Sequence, residues 1–211
     1  MKKLIALIAV AVTAVAVAAA DPLIVIHGLV NFNALGTSFK DAPDSASAFD
    51  AFGDNISIGG GVGVNIPFGG YFGVQPGVDV YGNRIGLKDG DDVMTCSYVS
   101  LDIPVLFTAK VEKWNFQLGP YLSIPLGDMT WKYNGDGTDL DVTSNVIFGL
   151  VAGIGYEERL GLGRIVFGAR YMLDFMPVEV EFMGSKQEIF TRRGLEIDIG
   201  YKVPLTFFGS L

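Results

Sequence analysis

Residues 99–111 read VSLDIPVLFTAKV, and their alternation decides the fold. Val99, Leu101, Ile103, Val105, Phe107, Ala109 and Val111 fall on one face of an extended chain, and Ser100, Asp102, Thr108 and Lys110 on the other. Successive side chains of a strand point to opposite sides, so one face here is apolar and the other carries charge. A soluble sandwich would bury the apolar face in its core. A transmembrane barrel turns that face to lipid and keeps the polar face inside.

Seven further stretches repeat the pattern: residues 23–33, 56–68, 71–81, 114–124, 146–156, 165–174 and 195–207. Each has about ten residues, the length a tilted strand needs to cross a bilayer. The connectors alternate in length. Tight turns occur at Gly69-Gly70, at Glu112-Lys113 and over 158–163, whereas 34–55, 82–98, 125–145 and 175–194 read as long loops. Short periplasmic turns and long external loops are the usual asymmetry of outer-membrane barrels. The expected fold is therefore all-β, an eight-stranded antiparallel up-and-down transmembrane β-barrel with both ends in the periplasm. Pro76, Pro104, Pro120 and Pro204 fall inside these strands, and a closed barrel has no edge where a missing N–H is harmless. Bulges or earlier strand ends are expected there.

Residues 1–20 read as an export signal: Lys2 and Lys3, an apolar middle, then Ala18-Ala19-Ala20 before Asp21. The division is thus a signal peptide over 1–20 and an outer-membrane barrel domain over 21–211. No later stretch is apolar for long enough to be a spanning helix. The chain carries 15 Lys and Arg against 23 Asp and Glu, a net charge of −8, or −10 once Lys2 and Lys3 are removed. That balance argues against a nucleic-acid partner. Cys96 is the only cysteine, which excludes an internal disulfide, and its place in the second long loop predicts a free external thiol.

The runs YVSLDIPVLF at 98–107 and LGPY at 118–121 resemble the PorT-like outer-membrane β-barrel domain family, and GIGYE at 153–157 and FGARY at 167–171 are similar to its sixth and seventh strands. The resemblance implies an eight-stranded barrel in the outer membrane of a diderm bacterium and brings no common catalytic residues. The chain departs from the pattern at its end, FFGSL over 207–211, where many such barrels finish on an aromatic residue.

By strand parity His27, Asp79, Asp102, Lys110, Arg170, Asp174, Glu196, Asp198 and Lys202 face inward. An eight-stranded barrel is just wide enough for side chains to fill it, so these residues are expected to form a polar network that plugs the lumen. Arg170, flanked by the acids of the last strand, is the natural hub. A narrow ion path is the alternative. His27 could serve a nucleophile as base, as in barrel lipases, but a polar interior role is the expectation. The glycines of GGGVG at 59–63 lack the Lys and Ser/Thr of a phosphate loop and are expected to make room for bulky interior neighbours. NGDGTDLD at 134–141 lacks the full EF-hand pattern and reads as a solvated acidic turn.

No catalytic residue, cofactor or metal site is expected. The chain reads as a non-enzymatic barrel whose long loops serve surface binding, adhesion or a structural role. A conduit for small or apolar molecules is the second reading and a lipid-modifying enzyme the third. Outer-membrane lipids, the barrel-assembly machinery and an extracellular ligand or host surface are the expected partners.

Overall fold

Among the described residues the computed structural model has twelve strands and a short 3-10 helix at Phe52–Asp54: β1 (Leu23–Phe32), β2 (Ser38–Phe39), β3 (Ile56–Phe68), β4 (Phe72–Asp89), β5 (Asp92–Val111), β6 (Trp114–Tyr133), β7 (Asp136–Val142), β8 (Ile147–Leu160), β9 (Gly163–Asp174), β10 (Val178–Phe182), β11 (Ser185–Thr191) and β12 (Arg193–Pro204). The structure describes residues 22–40, 42, 46–48, 50–143, 146–182 and 184–205. The export signal at 1–20 and the terminal FFGSL lie outside the described residues.

Eight strands pair in the order β1-β3-β4-β5-β6-β8-β9-β12, and β12 pairs back to β1, from Leu23 opposite Pro204 to Phe32 opposite Leu195. Every neighbour is antiparallel, so this is a closed eight-stranded barrel. Closure removes the unpaired edges that an open sheet would leave in lipid.

The alternation read at 99–111 sets which way the barrel faces. Ile58, Val62, Phe72, Val105, Phe107, Phe116, Leu118, Phe148, Phe167 and Ile199 are exposed around the outside of the wall, while Asn31, Ser57, Ser100, Asp102, Ser123 and Glu196 are buried. A water-soluble fold has the opposite arrangement. Trp114 and Tyr156 stack edge to face near the short-turn end, at the level where membrane barrels carry aromatic girdles.

Pro204 is the last residue of β12, an earlier end than 207, whereas Pro76, Pro104 and Pro120 neither end their strands nor shift their register. The β3–β4 ladder skips from Gly63–Gly77 to Ile66–Val74, β4–β5 from Pro76–Val105 to Asp79–Asp102, and β5–β6 from Pro104–Tyr121 to Phe107–Leu118, each resuming in the same register. The missing donors are absorbed by short gaps that run side by side across three ladders. The one register shift among these ladders lies elsewhere, between Ser97 and Val99 on β5. It stands opposite Gly127, whose positive φ of 74° suits a residue without Cβ.

Three of the four expected loops are corrected. β4 runs for 18 residues and β5 and β6 for 20 each, so most of 82–98 and the first half of 125–145 are strand. At about 3.3 Å per residue these strands outrun a bilayer core of about 30 Å even when tilted. β7 adds to the end of β6, β10 to β7, β11 to β10 and β2 to β11, so the barrel wall continues past the membrane as a curled sheet. Its hairpin turns use Gly90, Asn134-Gly135 and Gly184, all with positive φ. These turn residues and the surrounding Asp, Lys and Gly give the segments their loop-like composition, while the inner-face alternation of Asn83, Ile85 and Leu87 carries the strand onward.

Candidate functional site

The barrel interior gathers the chain's buried charge in three tiers. In the tier nearest the curled sheet, Arg192 enters from the junction between β11 and β12. Its Nη2 donates to Asp102 at 2.9 Å and its Nη1 to Asn83 at 3.0 Å, while its Nε lies 3.4 Å from Asp174. The guanidinium carbon sits 5.9 Å from the Tyr81 ring centre and 5.8 Å from that of Tyr121, between two faces that attract a cation. Ser123 donates its hydroxyl to Asp102 and Tyr121 donates to Asp174. Glycine makes the space: a Cβ on Gly149 would collide with the Tyr121 ring, as one on Gly61 would with the Asp79 carboxylate.

In the middle tier Arg170 Nε donates to Glu196 at 2.6 Å, and Tyr81 donates to the same carboxylate. His27 Nε2 lies 2.7 Å from Asp79. Asp198 is buried and acts electrostatically on Arg170, with no hydrogen-bond partner for its Oδ1. Leu106, Tyr121, Val151 and Met172 form an apolar wedge on the far side of the lumen.

At the short-turn end Glu157 is the centre. Lys202 reaches it at 2.7 Å, Arg164 at 3.3 Å and Asn115 at 3.0 Å, and Lys110 also donates to it. A vestibule of about 230 Å³ opens beside this group, lined by Asn65, Thr108, Lys110 and Arg164 among others.

The nine predicted residues all face the lumen. His27, Asp79, Asp102, Arg170, Asp174, Glu196, Asp198 and Lys202 are buried, and Lys110 is half-buried at the mouth. They do not form one network: Asp102 and Asp174 belong with Arg192, Arg170 with Glu196, and Lys110 and Lys202 with Glu157. The hub is thus shared, and Arg192, the larger half of it, was not among the predicted residues. Parity counted back from Glu196 would have placed Arg192 inward, and the β8 alternation carried one step past Gly155 would have done so for Glu157.

Between these tiers side chains fill most of the lumen. The void bounded by Asp79, Asp102, Tyr121, Arg170, Met172 and Glu196 measures about 10 Å³, at the lower limit of the space that admits one water. Five cations (Lys110, Arg164, Arg170, Arg192 and Lys202) stand against six carboxylates (Asp79, Asp102, Glu157, Asp174, Glu196 and Asp198), and the sixth carboxylate, that of Asp79, holds His27. Charge is nearly balanced inside the wall, which buried ions require.

Cys96 is corrected from an external loop to the inner face of β5. It is fully buried with Ile85, Tyr98, Met129, Val178 and Phe190, and burial pushes its thiol up to about 12. The segment 134–141 forms the β6–β7 turn and β7, where Asp139 accepts from Thr130. Among the described residues no group of three His, Cys, Asp or Glu is placed to hold a metal ion.

Residues 23–178, well over half of the chain, match the family model described as outer membrane protein beta-barrel domain. The chain belongs to that family. The matched region of this outer-membrane barrel stops short of β12, whose pairing with β1 closes it. No curated protein sequence matches the barrel. Among solved structures it is similar to Neisserial surface protein A, at 12% identity over 86% of this chain and 95% of that one, with a TM-score of 0.45. It is also similar to the outer membrane protein OprG from Pseudomonas aeruginosa, at 10% identity over 87% and 96% of the two chains, with a TM-score of 0.48.

Proposed function

We propose that this outer-membrane barrel is a non-conducting surface protein whose curled sheet, formed by the ends of β4–β6 with β7, β10, β11 and β2, binds an extracellular ligand or host surface. The filled lumen supports this reading: the void beside Arg170 and Asp102 measures about 10 Å³, too small for a hydrated ion or solute. Loop-length asymmetry supports an orientation with the short turns and barrel ends in the periplasm and the sheet outside. The motifs at 98–107 and 118–121 favour the PorT-like branch of the family. On this reading residues 1–20 direct export, the barrel-assembly machinery inserts the chain, and no catalysis takes place.

Planar-bilayer recording of the refolded protein tests the closed lumen, with no steady current expected. A steady current would overturn the plug and favour a conduit for small solutes. Labelling of Gly137→Cys on intact cells with a membrane-impermeant maleimide tests the orientation, in a Cys96→Ala background. Reaction only after the outer membrane is breached would invert it.

A further inference from the structure

The short-turn end of the barrel holds more positive charge than its carboxylates neutralise. Lys110 on β5, Arg164 on β9 and Lys202 on β12 converge on Glu157 of β8: Lys110 and Arg164 donate to its Oε2, and Lys202 to its Oε1 at 2.7 Å. Among the described residues, Glu157 is the one hydrogen-bonding partner of all three side chains. Asp198 acts on Lys202 from deeper in the lumen, so three cations face two carboxylates. The rim outside is neutral, with Lys113 and Arg159 against Glu112 and Glu158. Lys202 is buried, whereas Lys110 and Arg164 are partly exposed and line the vestibule of about 230 Å³. That space far exceeds the roughly 10–15 Å³ one water needs.

A second feature of the same vestibule narrows its occupant. Asn115, almost fully buried on β6, lines it and donates its amide to Glu157 Oε1 at 3.0 Å, which fixes the way the amide points. Its Oδ1 is left as an acceptor without a partner, and the Oε1 of Gln117, two residues further in on the same strand face, is unpartnered as well. A buried acceptor left unmade is costly, so it favours a ligand that brings a donor. The cations select negative charge, and Asn115 selects an O–H on the same small molecule. Sulfate has the charge without the donor. A phosphodiester headgroup has a single charge and no P–O–H.

We infer that the vestibule is a binding site for a small oxyanion that carries its own O–H, with monohydrogen phosphate as the simplest example. Lys110 and Arg164 hold the anionic oxygens, and Asn115 Oδ1 accepts from the O–H. The site lies at the end opposite the curled sheet and does not rest on the ligand proposed for that sheet.

The test uses purified, refolded protein in maltoside micelles, which hold no phosphate, with the backbone amide signal of Thr108 in the vestibule wall followed by NMR. Sodium phosphate, sodium sulfate and glycerophosphocholine are titrated at neutral pH and matched ionic strength. Phosphate should shift the signal saturably and bind at least roughly tenfold more tightly than sulfate, which resembles it in shape but lacks the O–H. Glycerophosphocholine, the soluble headgroup of a membrane diester, should bind no better than sulfate. Lys110→Gln with Arg164→Gln should weaken phosphate binding at least roughly fivefold while the folded band on gels is kept. Asn115→Leu should bring phosphate and sulfate to within roughly twofold of each other, and the wild-type ratio carries the test if that variant does not fold. No saturable phosphate shift up to about 50 mM, far weaker than millimolar binding, would overturn the inference. So would equal affinity for phosphate and sulfate, which would leave only a diffuse basic mouth, or tighter binding of the diester, which would make this a lipid-headgroup site. Undiminished binding in the double variant, or a phosphate preference that survives Asn115→Leu, would overturn it too.

Discussion

Replacing Arg192 with leucine removes the guanidinium that ties the β11–β12 junction to the carboxylates of the lumen. The guanidinium reaches Asp102 at 2.9 Å and Asp174 at 3.4 Å, and all three groups are almost fully buried. Breaking a buried ion pair from one side costs about 3–5 kcal/mol, because the abandoned charge stays out of water. Two carboxylates are abandoned here, but each keeps a hydroxyl donor, Ser123 for Asp102 and Tyr121 for Asp174. The losses overlap and do not add, so Arg192→Leu should destabilise the barrel by about 3–5 kcal/mol in total. Urea unfolding of protein reconstituted in lipid vesicles reads this directly. Adding Asp102→Asn and Asp174→Asn to the leucine variant should recover about 2 kcal/mol or more, since the stranded charges are then gone. A loss below about 1 kcal/mol, the size of an exposed pair, would refute the buried-pair reasoning. So would amide substitutions that deepen the loss. Exposed Arg193, next in sequence, is the control, and its leucine variant should stay within about 0.5 kcal/mol of wild type.

Val105→Arg sets a charge on the exposed outer face and should cost about 2–4 kcal/mol near the midplane in the same urea assay; wild-type stability would mean that this face does not meet lipid. Gly149→Ala drives a methyl into the Tyr121 ring and should cost about 1–3 kcal/mol, whereas Gly90→Ala at a tip turn meets no neighbour and should leave the membrane wall intact, costing about 1–2 kcal/mol from its left-handed backbone alone. Cys96 should resist a water-soluble maleimide in folded protein even at pH 8.5, where a thiol held near 12 leaves roughly one thiolate in a few thousand molecules, and should react fully once denatured; rapid labelling of folded protein would place Cys96 at the surface.

Period-two alternation was enough to read the eight barrel strands, because lipid on one side and packed polar groups on the other impose it residue by residue. β3 was read with its observed ends, Ile56–Phe68. The same signal faded where the wall leaves the membrane. There the outer face meets water and tolerates Asp, Lys and Gly, so Asp92–Tyr98 looked like loop although its inner positions Cys96 and Tyr98 are apolar and buried. The inward charges were legible by parity, but their partners were not, since pairing depends on which strands become neighbours across the lumen. Arg192 was missed for a further reason: it precedes the stretch 195–207 whose alternation was read, although its parity with Glu196 points it inward, and only the fold brings it to Asp102, 90 positions away in sequence.

The position of Arg192 also bears on how the barrel comes together. It immediately precedes β12, and β12 is the strand whose docking on β1 forms the last seam of the cylinder. A hairpin-by-hairpin assembly would leave Asp102 and Asp174 waiting on β5 and β9 until that final strand arrives with the cation they need. Zipping the seam and seating the plug are then a single event. An unsealed intermediate would keep a wet, negatively charged interior, and the finished barrel would be held shut by an internal bolt as well as by the backbone ladder of its seam.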